Sequence, residues 1–577
     1  MSKNKNTATA NPHVAILAGA GTGKTTRIIR EIAALIKSKD ASSTQILTVT
    51  FSRRATNELR QRLRDELGAK ADGITISTFH AHAARIVRTY GNALGFDPTF
   101  TILETPDVKT IIRRIIREED LSGTFPTTKA AFEVVERHKC AGHMPKDITT
   151  DDQYTKTVRR LYTRLQAELL ASNSMTYSDL ILYALHLLKK QPKARQEYSG
   201  QFQFIFVDEF QDTNIAQYKL LKRLAGDDSR LFAVGDDDQS IFSWRYVPPG
   251  MMDRFIRDYG ITDCKRLTKN HRSTATIVNA ANSLISHNTD RRDKKLVPTK
   301  PDGHLIKVKR FVKQEEEAKW IADNINKLRE NSENEHKTVA ILCRYKELFR
   351  KIEKQLRDAK IEYYTFGQES LKRVRSSRLL PDFLDAMMDN IDSEDTDDNK
   401  VHLMTMHAAK GLQFDYVFLP AWEHKRVPDR RSPIEEERRL AYVAVTRAKE
   451  QLFISSVLEN RDGVKIKFKV IKPSCFINEL SGDYIDKRRS KAASAWLHNK
   501  RNYVEPTFEI EVDDIVSHNP YTDDNGDRIN HGICQVIGVP GANIEIKLND
   551  GNIITVKKAS VTKVLLPKRR KKKQKKG

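Results

Sequence analysis

Short apolar runs alternate along the chain with longer stretches whose apolar residues recur every three to four positions. Residues 13–17 form one such run. After a glycine-rich turn, Ile28, Ile29, Ile32, Leu35 and Ile36 mark one face of a helix over 24–37. Runs at 46–50 and 74–77 are each followed by helical spacing, through residue 63 and over 82–90. Strand then helix, repeated, predicts a parallel sheet with crossover helices. From about 106 to 200 the spacing stays helical, as at Val108, Ile111 and Ile112, which predicts a strandless helical insertion. Strand patterns return at 204–207 and 231–234. A second α/β unit begins near Leu305, with strands at 339–342 and 416–419, and the acidic, turn-rich run 389–399 reads as a mobile linker. Residues 466–507 fit neither period and are assigned as a linker. Beyond them Ile544, Ile546 and Leu548 alternate with polar residues, Asn549-Asp550-Gly551-Asn552 marks a hairpin turn, and 553–556 pairs back. That predicts a small β-barrel over 508–566, followed by a basic tail at 567–577.

Composition narrows the class. Hydrophobic residues make up 39% of 577, enough for several packed cores, which excludes a mainly disordered chain. No run reaches the ~18 apolar residues of a membrane span, so no membrane partner is expected. Residues 1–12 are polar, unlike a signal peptide, and are expected to be disordered. The five cysteines lie far apart with no C-x-x-C pair, so neither a zinc site nor a disulfide frame is expected. Lys and Arg total 100 against 76 acidic residues, a net charge of +24, which favours a polyanionic partner. Eight of those cations crowd the tail, yet the rest of the chain stays basic. The tail suits phosphate clamping, or nuclear localisation in a eukaryotic host. In a bacterial or viral host the expected setting is the cytoplasm, close to the nucleoid.

Three stretches carry chemistry. Ala18-Gly19-Ala20-Gly21-Thr22-Gly23-Lys24-Thr25 sits between a strand and a helix, the context of a phosphate loop, with Thr26 and Arg27 following. Glycines let the backbone approach phosphates, and amides at the helix start point at them. Lys24 suits the β- and γ-phosphates, and the Thr25 hydroxyl suits Mg²⁺. Asp208 and Glu209 end an apolar strand. Alone they also fit a solvated strand end; beside a phosphate loop, Asp208 suits the Mg²⁺ shell and Glu209 the attacking water. The run from Gly235 to Arg245 places Phe242, Trp244 and Arg245 after an acidic loop. Such residues suit stacking on nucleic-acid bases, while a large aromatic such as Trp244 equally fits a core.

With further blocks in the same order, the chain resembles the UvrD/Rep/PcrA family of superfamily 1 DNA helicases. These are Thr50-Phe51-Ser52-Arg53-Arg54-Ala55, Thr78-Phe79-His80, Asp208-Glu209-Phe210-Gln211-Asp212, Asn270-His271-Arg272-Ser273, the stretch Met404 to Leu412, and the stretch Glu435 to Ala448. The resemblance implies two RecA-like motor domains, 13–270 and 271–465, with ATP and Mg²⁺ in the cleft between them. It implies that Gln239 senses the γ-phosphate and that Arg272 and Arg447 reach it across the cleft. Thr50, Phe51, Thr78, Phe79, His80, Phe242, Trp244, Arg245, His407 and Lys410 match positions along the single-strand path. It further implies 3′ to 5′ polarity, unwinding of duplex DNA, a monomer or DNA-dependent dimer, and a Tudor-like C-terminal barrel that binds a protein partner or nucleic acid.

Three departures cluster at the nucleobase and ribose. The family's upstream Leu-Asn-x-x-Gln segment is absent, His271 stands where an aromatic stacks on the base, and Gln413 replaces the acid at the ribose. The resemblance therefore leaves other NTPs open as substrates. A fourth departure is size: only 368–400 stands where relatives carry a large insertion. Competing functions are the motor subunit of a helicase–nuclease or defence complex, a DNA-stimulated NTPase with little unwinding, and a non-catalytic scaffold. Glu209, Gln239 and Arg447 argue against the last.

Overall fold

The computed structural model describes residues 11–149, 152–292, 294–334, 336–366, 399–459, 471–490 and 492–494, together with backbone strands between 515 and 564. Residues 1–10 of the N-terminus expected to be disordered over 1–12, residues 368–398 of the reduced insertion expected at 368–400, and the basic tail lie outside the described residues. The chain divides into two compact units at Trp496 and Leu497.

In the first unit, β1 (Val14–Ala18), β2 (Ile46–Thr50), β3 (Thr75–Thr78), β4 (Phe204–Val207), β5 (Arg230–Gly235) and β6 (Lys265–Leu267) form one sheet. The order is β3-β2-β4-β5-β1-β6 and every pair is parallel. Strands covered on both faces need apolar residues at every position, and β2 and β4 are buried throughout. Successive side chains alternate faces. Phe204 and Phe206 join Ile28, Ile32, Leu59 and Leu63 of helices Lys24–Ser38 and Arg53–Leu67. Ile205 and Val207 face Ile86, Leu180 and Leu220 of helices Phe79–Tyr90, Tyr177–Lys190 and Ile215–Leu224.

The helical insertion is real but smaller than 106–200. Helices Thr105–Glu118, Thr128–Cys140 and Gln153–Ala171 close around their own core of Ile112, Ile115, Val135, Leu161 and Leu165. Tyr177–Lys190 instead packs into the core beside the first sheet, because it is apolar on almost every side. The insertion is not strandless either: Thr101–Ile102 pairs parallel with Ser174–Met175. Two residues are too few to display a period of two.

A second parallel sheet holds β7 (Ile306–Phe311), β8 (Val339–Cys343), β9 (Tyr363–Thr365), β10 (Val401–Thr405), β11 (Phe414–Leu419), β12 (Ala448–Val457) and β13 (Ile485–Arg489). Their order is β9-β10-β8-β11-β12-β7-β13. Strand β13 falls in the stretch read as a linker, so this sheet runs past residue 465. Its sequence, Ile485-Asp486-Lys487-Arg488-Arg489, is polar because it is an edge paired on one side to β7.

In the second unit, β14 (Ile515–His518), β15 (Ile533–Gly538), β16 (Asn543–Lys547), β17 (Ile553–Lys557) and β18 (Val561–Val564) form an antiparallel sheet ordered β17-β16-β15-β14-β18. The expected hairpin is present as the β16–β17 ladder, Asn543↔Lys557 to Lys547↔Ile553. Among the described strands no pairing of β17 with β18 closes the sheet into the expected barrel.

Candidate active site and nucleic-acid interface

The loop after β1 turns through two residues in the left-handed region, Gly21 at φ +67° and Gly23 at φ +83°. A Cβ on Gly21 would stand 2.6 Å from Asn270 Nδ2, so close packing as well as backbone conformation demands glycine there. The helix that begins at Lys24 has no side-chain cap and no acid in its first turn. Its leading amides are thus left for an anion. The loop is held from the far side: Asn270 Nδ2 donates to Ala20 O (2.7 Å) and His271 N donates to Gly21 O (2.9 Å).

The carboxyl ends of β1, β2, β4 and β5 converge, as ligand crevices of parallel sheets do. Glu209 follows β4 in a left-handed conformation, φ +49°, rare for a side-chain-bearing residue and a mark of local strain. Its Oε1 lies 2.7 Å from Lys24 Nζ, and its Oε2 accepts from Gln211 Nε2 (2.6 Å). Burial alone would raise the Glu209 carboxyl, but the charges of Lys24 and Lys410 hold it below the usual range. Asp208 moves the other way, raised by burial and by the neighbouring Glu209 charge. Gln239 donates from Nε2 to Asp236 Oδ2 (2.6 Å) and accepts from Arg447 Nη2 (3.3 Å). Arg447 comes from the second sheet's side, is buried, and also donates to Val443 O and Leu412 O. Burial and the facing Arg272 push its guanidinium down to about 9, and burial pushes Arg272 down to about 10. A buried and a half-buried arginine opposed in this way suit an anion between them.

One cleft of about 940 Å³ is lined by this loop, by Asp208, Glu209, Gln239, Arg272 and Arg447, and by an aromatic group farther along. Phe51 stacks on Phe242 (5.3 Å, 12°), Phe242 meets Trp244 edge-on (6.0 Å), and Trp244 meets His407 edge-on (6.2 Å). The Arg245 guanidinium lies 4.8 Å from the Trp244 ring centroid and 4.9 Å from that of Phe242. Trp244 is 58% exposed, which removes the core reading of this residue. Burial drives His407 down to about 3, so its ring is neutral.

The lining includes most of the expected set: Gly19 to Thr26, Phe51, Asp208, Glu209, Gln239, Phe242, Trp244, Arg245, His271, Arg272, His407, Lys410, Gln413 and Arg447. Ala18 and Arg27 are outside it. Ala18 is buried in β1, and Arg27 turns along its helix to pair with Glu31. Four expected nucleic-acid contacts are also outside. Thr50 is buried against Thr56, Oγ1 to Oγ1 at 2.7 Å. Thr78 caps a helix by accepting from Ala81 N (3.2 Å), Phe79 is core, and His80 packs edge-on to Tyr177 (6.0 Å) with its pKa lowered by burial to about 4. Lys410 Nζ is 2.5 Å from Asp212 Oδ2, donates to Gln239 O (2.6 Å) and lies 5.0 Å from the Phe242 ring centroid. Gln413, expected at the ribose, accepts from Arg272 Nε (2.8 Å), and His271 Nδ1 lies 3.1 Å from Thr299 Oγ1. Asp212, Arg62 and Arg344 line the cleft without having been singled out. Arg344 had a readable signal, since it directly follows the carboxyl end of an apolar strand.

Among the described residues no three His, Cys, Asp or Glu side chains gather as a metal cage. Thr25 and Asp208 in one cleft nevertheless fit Mg²⁺, which commonly takes one or two protein oxygens and completes its shell with water and substrate phosphates.

Comparisons with known proteins agree with this geometry. Residues 1–260 match the UvrD/REP helicase N-terminal domain, and residues 265–374 and 372–459 match the UvrD-like helicase C-terminal domain. The chain is 28% identical to the ATP-dependent DNA helicase PcrA of Leuconostoc citreum, over 82% of this chain and 83% of the relative. It is 28% identical to DNA helicase II of Rickettsia typhi, over 81% and 92%. A third relative, PcrA of Staphylococcus aureus, is 32% identical over 61% of this chain and 48% of its own length. With matching domains along most of its length and the phosphate loop, paired acids and facing arginines in one cleft, the chain belongs to the UvrD/REP helicase family.

Proposed function

We propose that this protein is an ATP-dependent DNA helicase that moves 3′ to 5′ on single-stranded DNA and separates duplex ahead of it. The observation that carries the reading is the single cleft that joins the phosphate loop to the exposed aromatic group, with side chains from both parallel sheets along its walls. ATP is the substrate, its phosphates on the amides at the start of the helix at Lys24. Mg²⁺ bound by Thr25 and Asp208 would neutralise phosphate charge. Lys24 rests on Glu209 (2.7 Å); incoming phosphates draw the ammonium away and free the carboxylate to orient water. Water oxygen bonds to the γ-phosphorus as the bond to the ADP oxygen breaks. Arg272 and Arg447 stabilise the charge that develops on the γ-oxygens. Gln239, held by Asp236 and by Arg447, links loss of the phosphate to movement of the second sheet. Bases stack on Trp244 and its neighbours, and the C-terminal sheet serves as an appendage for a protein or nucleic-acid partner.

The test is ATP hydrolysis with and without single-stranded DNA, beside strand displacement on duplexes tailed at either 3′ or 5′ ends. Stimulation by single strands with displacement from 3′ tails is expected. Equal displacement from 5′ tails would overturn the polarity, and ATP turnover indifferent to DNA would overturn the coupling.

A further inference from the structure

A buried ion cluster stands behind Gln239. After helix Ala275–Ile285 the chain runs between the two sheets' domains and makes two sets of contacts. On one side it grips helix Ile434–Val445, whose carboxyl end leads into Arg447. Asn288 Nδ2 donates to Glu435 O (3.0 Å), Asn288 Oδ1 accepts from Arg438 Nη1 (2.7 Å), and Thr289 donates from N (2.9 Å) and Oγ1 (2.8 Å) to Glu435 Oε1. On the other side it grips the loop after β5. Arg291 makes a two-pronged bond to Asp238, Nε to Oδ1 (3.0 Å) and Nη2 to Oδ2 (2.8 Å). Lys294 pairs with Asp236 and lies 3.1 Å from Asp238 Oδ2.

Asp236 is the junction. It is fully buried; one oxygen meets Lys294 and the other accepts from Gln239 Nε2 (2.6 Å). Its backbone N donates to Gln211 Oε1 (2.9 Å), and Gln211 Nε2 donates to Glu209 (2.6 Å). One chain of bonds therefore runs from Glu435 of the second motor, through Thr289, Arg291 and Lys294, to both the Gln239 sensor and the Glu209 carboxylate. A Lys side chain only 8% exposed loses much hydration, and buried ion pairs are poor stabilisers against an apolar alternative. What such a pair supplies well is fixed geometry, and the geometry fixed here is that of Asp236.

We infer that Lys294 and Arg291 are positioning residues for hydrolysis: through Asp236 and Asp238 they hold Gln239 and Glu209 in register with the second motor. The inference rests on the ATP-hydrolysis reading of the cleft and adds the element that carries second-motor movement into it. Neither residue lines the cleft, so a loss should fall on turnover and not on binding.

The experiment uses the full chain and measures kcat and KM for ATP on saturating single-stranded DNA, DNA affinity, and Tm. Lys294→Met is expected to lower DNA-stimulated kcat about thirtyfold while KM and DNA affinity move less than about threefold, in the range of coupled residues sharing one network. In a Gln239→Ala background the same change should cost clearly less than in wild type, because one of its two routes of action is already cut and only the route through Gln211 to Glu209 remains. Arg291→Lys keeps the charge and loses the two-pronged bond; it should lower kcat about fivefold, and it serves as the probe if Lys294→Met does not fold. A folded Lys294→Met, or Arg291→Lys in its place, with kcat near wild type would overturn the proposal. So would a loss that adds in full to that of Gln239→Ala. A wild-type chain that hydrolyses no ATP counts instead against the helicase reading itself.

Discussion

The two ends of the cleft are built by different physics. At the nucleotide end, Lys24, Glu209, Arg272 and Arg447 are charged groups withdrawn from bulk water, and each is constrained by a named partner within 3.3 Å. At the proposed nucleic-acid end, Phe51, Phe242, Trp244 and His407 meet through ring faces and edges at centroid distances of 5.3 to 6.2 Å. Buried charge tolerates few arrangements, because an unpaired ion in a protein interior costs several kcal/mol. Stacked rings tolerate many, since every base offers a face. The first end should therefore fail sharply when altered and the second by degrees.

Lys24→Ala sharpens that contrast most. It removes the charge meant for the β- and γ-phosphates and should cut DNA-stimulated ATP turnover on the order of a thousandfold, with the fold retained. Substantial turnover in this variant would show that the loop is a glycine-rich turn and nothing more. Next in size is Glu209→Gln, expected to keep nucleotide binding and to lower kcat about a hundredfold or more. An unchanged kcat would move the water-orienting role to another acid of the cleft, such as Asp208 or Asp212.

Effects at the other end should be smaller and separable. Trp244→Ala removes one exposed ring and should weaken single-strand binding by ~1–3 kcal/mol, about five- to 150-fold. Thr78→Ala is its control. Thr78 belongs to the same family resemblance, yet here it caps helix Phe79–Tyr90. Loss of that cap should lower stability by about 1 kcal/mol and leave DNA affinity alone. A drop in affinity with Thr78→Ala, or none with Trp244→Ala, would redraw the path of the strand.

That pair also shows what the sequence could convey. Strands β1, β2 and β4 were legible because burial on both faces leaves a bare apolar run, and the turn that follows β1 needs glycine for reasons local to it. The acids after β4 were legible once the loop was, since one phosphate site requires both. The packing of Thr50, Thr78, Phe79 and His80 outside the cleft lining was not, because whether a Thr or Phe faces a cleft or a core depends on what packs against it from elsewhere in the chain. Lys410 is the same case: its partner Asp212 is 198 positions away, and only the assembled interface pairs them. Strand β13 was hidden for another reason, as an edge strand with a charged sequence carries neither an apolar run nor alternation.

The smallest expected effect concerns which nucleotide the charged end accepts. The groups proposed to contact phosphate serve every NTP alike: the loop amides, Lys24, Thr25, Arg272 and Arg447. Groups that would read the base or ribose are engaged elsewhere. Gln413 Oε1 accepts from Arg272 Nε (2.8 Å), His271 Nδ1 sits 3.1 Å from Thr299 Oγ1, and Arg27 turns away to Glu31. Arg62 does line the cleft, but it donates to Thr26 Oγ1 (2.7 Å). A site that does not hydrogen-bond an edge cannot strongly reject a nucleotide with a different one. GTP and dATP should therefore support DNA-stimulated hydrolysis with kcat/KM within about tenfold of ATP, a gap of ~1.4 kcal/mol. The measurement is kcat/KM for the three nucleotides on saturating single-stranded DNA, repeated with Arg62→Ala. A preference for ATP over GTP of about a thousandfold, ~4 kcal/mol, would mean that the base is read by direct bonds after all. If Arg62→Ala then erased that preference, the reader would be Arg62.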